Sequence, residues 1–190
     1  MADDVTQLFN RSSVSRKATA EEISAVEAEI GALPPSYKTF AETFGYGTTN
    51  GHFVIEMPFN MFGHGGLVVR GDALHEQVHW VVDQLREDGA EVGDLDCLEP
   101  YDEESQDVAS FFDDLRFYGN SINGEYLCWR RDKDGAFKFY VIDRACLSIR
   151  FAGTSLIEFI RRTQTEDVKT LLGSGYEKLP RTFEGATAEG

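Results

Sequence analysis

Cysteine is scarce in this chain. Cys97, Cys128 and Cys146 are odd in number, far apart and without a C-x-x-C pair. That spacing favours reduced, buried thiols over a disulfide framework or a metal cage. Long apolar runs are missing too. None approaches the roughly 20 residues that a membrane-spanning helix needs. The start, Met1-Ala2-Asp3-Asp4, carries acid where a secretory signal carries base, and no apolar segment follows. The expected location is therefore the cytoplasm. Positive charge is the third shortage. Eighteen Lys and Arg stand against 33 Asp and Glu, for a formal net charge of −15. This disfavours nucleic acid and anionic membranes, whose affinity for proteins rests on Lys and Arg. It suits solubility, or steering toward a basic partner. The shortage is sharpest from Glu87 to Asp114, where twelve acids occur and no basic residue does.

What is present is enough apolar residue for a core. At 190 residues and 42% hydrophobic content, the chain suits one folded domain. The expected division is an N-terminal arm over 1–18, a domain over 19–173, and a flexible tail over 174–190 that is rich in Gly, Ala and Glu toward its end. Thr19 and Glu22 have the spacing of a capping box ahead of a helix with Ile23, Val26 and Ile30 on one side. Gly31 stops it, and Pro35 starts a second helix that buries Tyr37, Phe40 and Phe44. Residues 47–51 read as loop, 52–59 as a strand, and Leu67–Val69 as a possible further strand. Asp72 is placed to cap a helix over 73–86, with Leu74, Val78, Val81, Val82 and Leu85 inward. A turn over Gly119–Gly124, signalled by Asn123-Gly124, and a second at Asp134-Gly135 mark two hairpins. Phe137, Phe139 and Val141 alternate with Lys138, Tyr140 and Ile142, so apolar residues occur on both faces. The sheet is therefore expected to be covered on both sides, at least in part. Short helices follow around Leu156–Ile160 and Val168–Leu172. The fold class is α+β: a mixed, largely antiparallel sheet flanked by helices.

Chemistry-bearing motifs are few. The glycine-rich bend at 61–66 lacks the Gly-Lys-Ser/Thr finish of a phosphate loop. No Ser-His-Asp or Cys-His arrangement is legible. His75-Glu76-Gln77-Val78-His79 matches H-E-x-x-H, in which two imidazoles one helical turn apart hold zinc and the Glu activates water. Against a zinc hydrolase stand three points. The glycine of the longer metzincin pattern is absent. No clear helix follows to present a third ligand. The two histidines also lie about 100° round from the buried stripe, at its boundary. Two half-exposed helix histidines, with no metal and no cofactor, are the expectation. Trp80, Trp129 and Tyr126 are expected in the core rather than around a ligand.

Three stretches in order resemble the SUKH superfamily, the group of the Smi-one/Knr-four cell-wall regulators. The first is Ile23-x-x-Val26-Glu27 leading to Gly31-x-Leu33-Pro34-x-x-Tyr37-Lys38-x-Phe40 and Phe44-Gly45. The second is Phe117-Tyr118-Gly119, then Asn123-Gly124-Glu125, Leu127 and Trp129. The third is Ser155-Leu156-Ile157-Glu158-Phe159-Ile160. Together they span Thr19 to Arg162. The departures are Leu156, where an aromatic is commoner, and an unusually long, acidic insert over 83–114. The resemblance implies a non-enzymatic domain, and for many bacterial members an immunity protein that blocks a secreted toxin, often a nuclease. A basic toxin domain is then the expected partner, and the protein itself a monomer or weak homodimer. Asp94, Asp96, Glu99, Asp102, Glu103, Glu104 and Asp107 are the candidate contacts, with Tyr101 as an aromatic anchor. A solvated surface loop is the alternative for that stretch, and a scaffold or regulatory module is the alternative function.

Overall fold

The computed structural model describes residues 5–63, 65–88, 96–97 and 108–187. Its centre is a nine-stranded mixed sheet in the order β1-β9-β2-β3-β5-β6-β7-β8-β4. The strands are β1 (Arg11–Ser12), β2 (Gly47–Thr49), β3 (Phe53–Ile55), β4 (Asp96–Cys97), β5 (Arg116–Ser121), β6 (Tyr126–Arg131), β7 (Phe137–Ile142), β8 (Ser148–Gly153) and β9 (Thr182–Gly185). All pairings are antiparallel except β1 with β9 and β4 with β8. The helices are α1 (Ala20–Ile30), α2 (Pro35–Thr43), α3 (Gly66–Glu87), α4 (Val108–Asp113), α5 (Leu156–Thr163) and α6 (Val168–Leu172). No described helix is long and apolar enough to cross a membrane. The α+β architecture expected from the sequence is the one observed.

The central strands alternate as their sequence demands. Tyr118, Leu127, Trp129, Phe139 and Val141 enter one apolar cluster with residues of α1, α2, α5 and α6. Phe117, Tyr126, Cys128, Tyr140 and Ile142 enter a second with residues of α3 and α4. Successive strand side chains point to opposite faces, so a run that is apolar throughout needs a cover on each. Cys128 and Cys146 are buried free thiols, and burial holds both thiols well above their usual range. Trp129 and Tyr126 are buried as expected.

The local signals around α1 and α2 hold in detail. Thr19 and Glu22 form the capping box, Gly31 closes α1, and Pro35 opens α2. The Tyr37 hydroxyl donates to the Glu56 carbonyl at 2.6 Å, which fixes α2 against the strand layer. At the other end of the domain, Ser155 caps α5 by accepting from the Glu158 N–H.

Four expectations are corrected. Residues 47–51 are not plain loop: β2 and β3 form a hairpin whose turn is Asn50-Gly51, both at positive φ. The second correction concerns β5 and its turn. Gly119 is not part of the turn but a strand residue, where β3 passes so closely that a Cβ would meet the Val54 carbonyl at 2.2 Å. Thirdly, α3 starts at Gly66, so Leu67–Val69 are helical and Asp72 lies inside the helix rather than capping it. Gly71 interrupts the sequence pattern but not the helix. It lies against β5, where a Cβ would sit 2.7 Å from the Phe117 carbonyl oxygen.

Finally, the expected arm and flexible tail meet in the sheet. β9 runs between β1 and β2, with Phe183 and Leu8 fully inside the core. A single inward phenylalanine flanked by backbone pairing on both sides is sufficient to seat so short a strand, although its composition looks polar.

Candidate functional site

The longest helix, α3, has two sides with different chemistry. Leu74, Val78 and Val82 are buried on the sheet. Asp72, Glu76, Trp80, Asp83 and Glu87 are all exposed. Steps of four, four, three and four residues keep these five in one outward stripe. Four carboxylates thus flank one indole that is 65% exposed. Trp80 was expected in the core, and this is a correction. At roughly 100° per residue it lies about 200° round the helix from Val78, so the helical wheel already put it on the solvent side.

The acidic stretch follows α3 directly in the sequence. Asp94, Glu99, Tyr101, Asp102, Glu103, Glu104 and Asp107 lie outside the described residues. Asp96 is described through its backbone alone. It stands in β4, opposite Ser148 of β8.

Between the stripe and the core stand His75 and His79. Their rings stack with centroids 4.3 Å apart and planes at 13°. The second helix thought to be absent is present: α4 ends on Asp113, and Phe111 and Phe112 anchor it in the apolar cluster that Leu74 and Val78 share. The His79 Nε2 lies 3.5 Å from Asp113 Oδ1. That nitrogen is shielded from solvent and has no hydrogen-bond partner. One potential ligand atom each of His75, His79 and Asp113 all fall within 4.8 Å of one another. Burial, with the neighbouring His79 and Arg116, holds the His75 imidazole below its usual range against the opposing pull of Asp113 and Asp72. It is therefore neutral, with a lone pair to offer, at neutral pH. The expectation of two half-buried boundary histidines is met; the expectation that nothing could join them is not.

A second polar cluster closes the β5–β6 hairpin. Glu125 accepts from the hydroxyls of Ser121 and Tyr176, and the His52 Nε2 lies 3.8 Å from it. The Asn123 side-chain amide donates to the Tyr176 hydroxyl at 2.7 Å. Burial raises the Glu125 pKa, but the neighbouring His52 ring and the donating hydroxyls of Ser121 and Tyr176 outweigh it and hold the carboxyl down at about 2. This network ties the Asn123-Gly124 turn to the C-terminal segment, so its work is structural. A groove of about 250 Å³ lies at the opposite end of the β5–β6 hairpin, beside the α1–α2 turn, with Asp114, Arg116 and Arg131 around Trp129.

In comparisons with known proteins, the model of the SMI1 / KNR4 family (SUKH-1) matches residues 17–162. The match takes in α1 to α5, with the sheet from β2 to β8. No curated protein matches the chain, and no solved structure does.

Proposed function

From the premise that the chain belongs to the SMI1 / KNR4 family (SUKH-1), we propose that it is an immunity protein. It binds a cognate secreted toxin domain in the cytoplasm, covers the toxin's working surface, and transforms no substrate itself. The toxin surface is basic, as that of a nuclease is, because a site built for phosphates is rich in Lys and Arg.

The observation that carries this reading is the outward stripe of α3. An exposed tryptophan is a common centre of a binding hot spot, since it removes a large apolar area from water with little loss of conformational freedom. Trp80 sits between Glu76 and Asp83 on that stripe, and the twelve acids of 87–114 begin at its end. The carboxylates raise the rate of encounter with a basic partner, and the indole supplies the contact that holds it. Asp94, Asp96, Glu99, Tyr101, Asp102, Glu103, Glu104 and Asp107 supply further toxin contacts in this reading.

The test begins with the product of the neighbouring gene. Co-purification with a secreted protein bearing a toxic C-terminal domain is expected. Replacing Asp102, Glu103 and Glu104 together by their amides then slows association and flattens its salt dependence. Trp80→Ala instead speeds dissociation and weakens binding by roughly 30-fold, the equivalent of about 2 kcal/mol. A neighbour with no toxic domain, or a complex indifferent to both changes, rejects the proposal.

A further inference from the structure

We infer that His75, His79 and Asp113 form a binding site for one divalent transition-metal ion of the zinc class, clamping α4 to α3. The geometry points there on three counts. His75 and His79 are one helical turn apart on α3, with ring centroids 4.3 Å apart. Rotation of the rings out of their stack about the side-chain bonds can bring one nitrogen of each toward a shared point. Asp113 comes from a different element, α4, so the set is made by the fold and not by one helix alone. The spacing of His79 and Asp113 is that of ligands rather than of an ion pair. Tetrahedral ligands at about 2.0–2.1 Å from zinc stand roughly 3.3 Å from each other. The His79 Nε2 and Asp113 Oδ1 are 3.5 Å apart. That is too long for a good charge-assisted hydrogen bond but close to the separation of two ligands of one metal.

The environment fits the same reading. The His79 nitrogen is closed off from water and makes no hydrogen bond, a costly state that a bound cation would relieve. Asp113 is 68% exposed at its side chain, so its carboxylate can close the remaining gap by rotation. Two imidazoles and one carboxylate select borderline ions such as Zn²⁺, Co²⁺ or Ni²⁺ over Mg²⁺ or Ca²⁺. Glu76 is not among the three converging residues. It stands on the outward stripe, so the set acts as a clamp and lacks the inward base of a hydrolase. The clamp joins the helices at either end of residues 88–107 in the sequence. The inference does not depend on the identity of the toxin or on its existence.

The full chain, stripped with a chelator, is titrated with Zn²⁺ by calorimetry and with Co²⁺ by visible absorption. One equivalent of Zn²⁺ is expected to bind, and Co²⁺ is expected to show a ligand-field band of low coordination number. His79→Ala weakens Zn²⁺ binding by about 100-fold or more, and Asp113→Asn by about tenfold or more. At one fixed Zn²⁺ concentration the rise in melting temperature is largest for the parent chain, smaller for Asp113→Asn and smallest for His79→Ala. Because Asp113 is exposed, Asp113→Asn folds as the parent does even where His79→Ala does not. Binding of less than half an equivalent by the parent chain, or parent-like affinity in Asp113→Asn, overturns the site.

Discussion

On one side of the sheet, Phe40, Phe53, Phe139, Phe159 and Phe183 pack among residues of α1, α2, α5 and α6. Ring follows ring there. Tyr118 stacks on Trp129 at 5.1 Å, Phe53 meets Phe159 at 5.0 Å, and Phe183 meets Phe9, Phe40 and Phe44. On the other side the cluster is smaller among the described residues, and α3 and α4 cover it. Those two helices carry the exposed indole, the boundary histidines and the acidic stripe. Where many aromatic rings interlock, each position is constrained by packing and has little freedom to serve a partner. Where the cover is thinner, the outward half of a helix is free to carry recognition chemistry. In the proposed reading the first face serves chiefly stability and the second serves binding.

The largest effect should separate the two faces directly. Phe159→Ala, in the aromatic face, is expected to destabilise the fold by about 3–5 kcal/mol. Leu74→Ala, under α3, should cost about 2 kcal/mol, the low end for a buried leucine, because its site beside half-buried histidines can collapse. Urea denaturation of both variants measures this, and equal losses would break the comparison.

Next in size comes acid. The folded-state pKa of Glu125 is depressed to about 2, whereas an unfolded glutamate titrates near 4.3. Its contribution is therefore complete above the unfolded value and disappears as pH falls from there through about 2. The amount at stake is on the order of 2–3 kcal/mol. Glu125→Gln should be less stable than the parent at pH 6 and nearly equal to it at pH 2. A constant difference between the two from pH 6 to pH 2 would show that the carboxylate charge is not what the network holds.

The smallest stability effect belongs to the outward stripe of α3 proposed to bind the toxin. Trp80→Ala should leave folding free energy within about 0.5 kcal/mol of the parent, as expected for an exposed side chain. A calorimetric melting curve decides it. A large drop would mean that Trp80 packs against something and is no docking residue.

Much of the first face was legible in the sequence because its signals are local. The Thr19–Glu22 capping box, the Gly31 stop, Pro35 at the head of α2 and the Asn123-Gly124 turn each lie within a few residues of what they determine. Asn50-Gly51 carries the same hairpin signal, and could have been read as one. Its flanking strands are only three residues each, too short to show alternation. Trp80 was also recoverable, from its angle to Val78 on the wheel. Other features depend on contacts far apart in the chain. Gly71 reads as a helix breaker unless β5 is known to lie against it. Asp113 becomes a neighbour of His79 only once α4 docks through Phe111 and Phe112. The strand at 182–185 has one buried side chain, Phe183, and is held by pairing with β1 and β2, both far earlier in the chain.

That last insertion has a temporal meaning. During synthesis at about 5–20 residues per second, β1 and β2 emerge long before β9, the strand that must sit between them. Until β9 appears the nascent chain therefore carries an open seam at Gly47–Thr49, where backbone donors and acceptors await a segment not yet made. The sheet is sealed only once Phe183 has emerged, and a ribosome that stalls short of it would release a polypeptide with an adhesive edge rather than a finished domain.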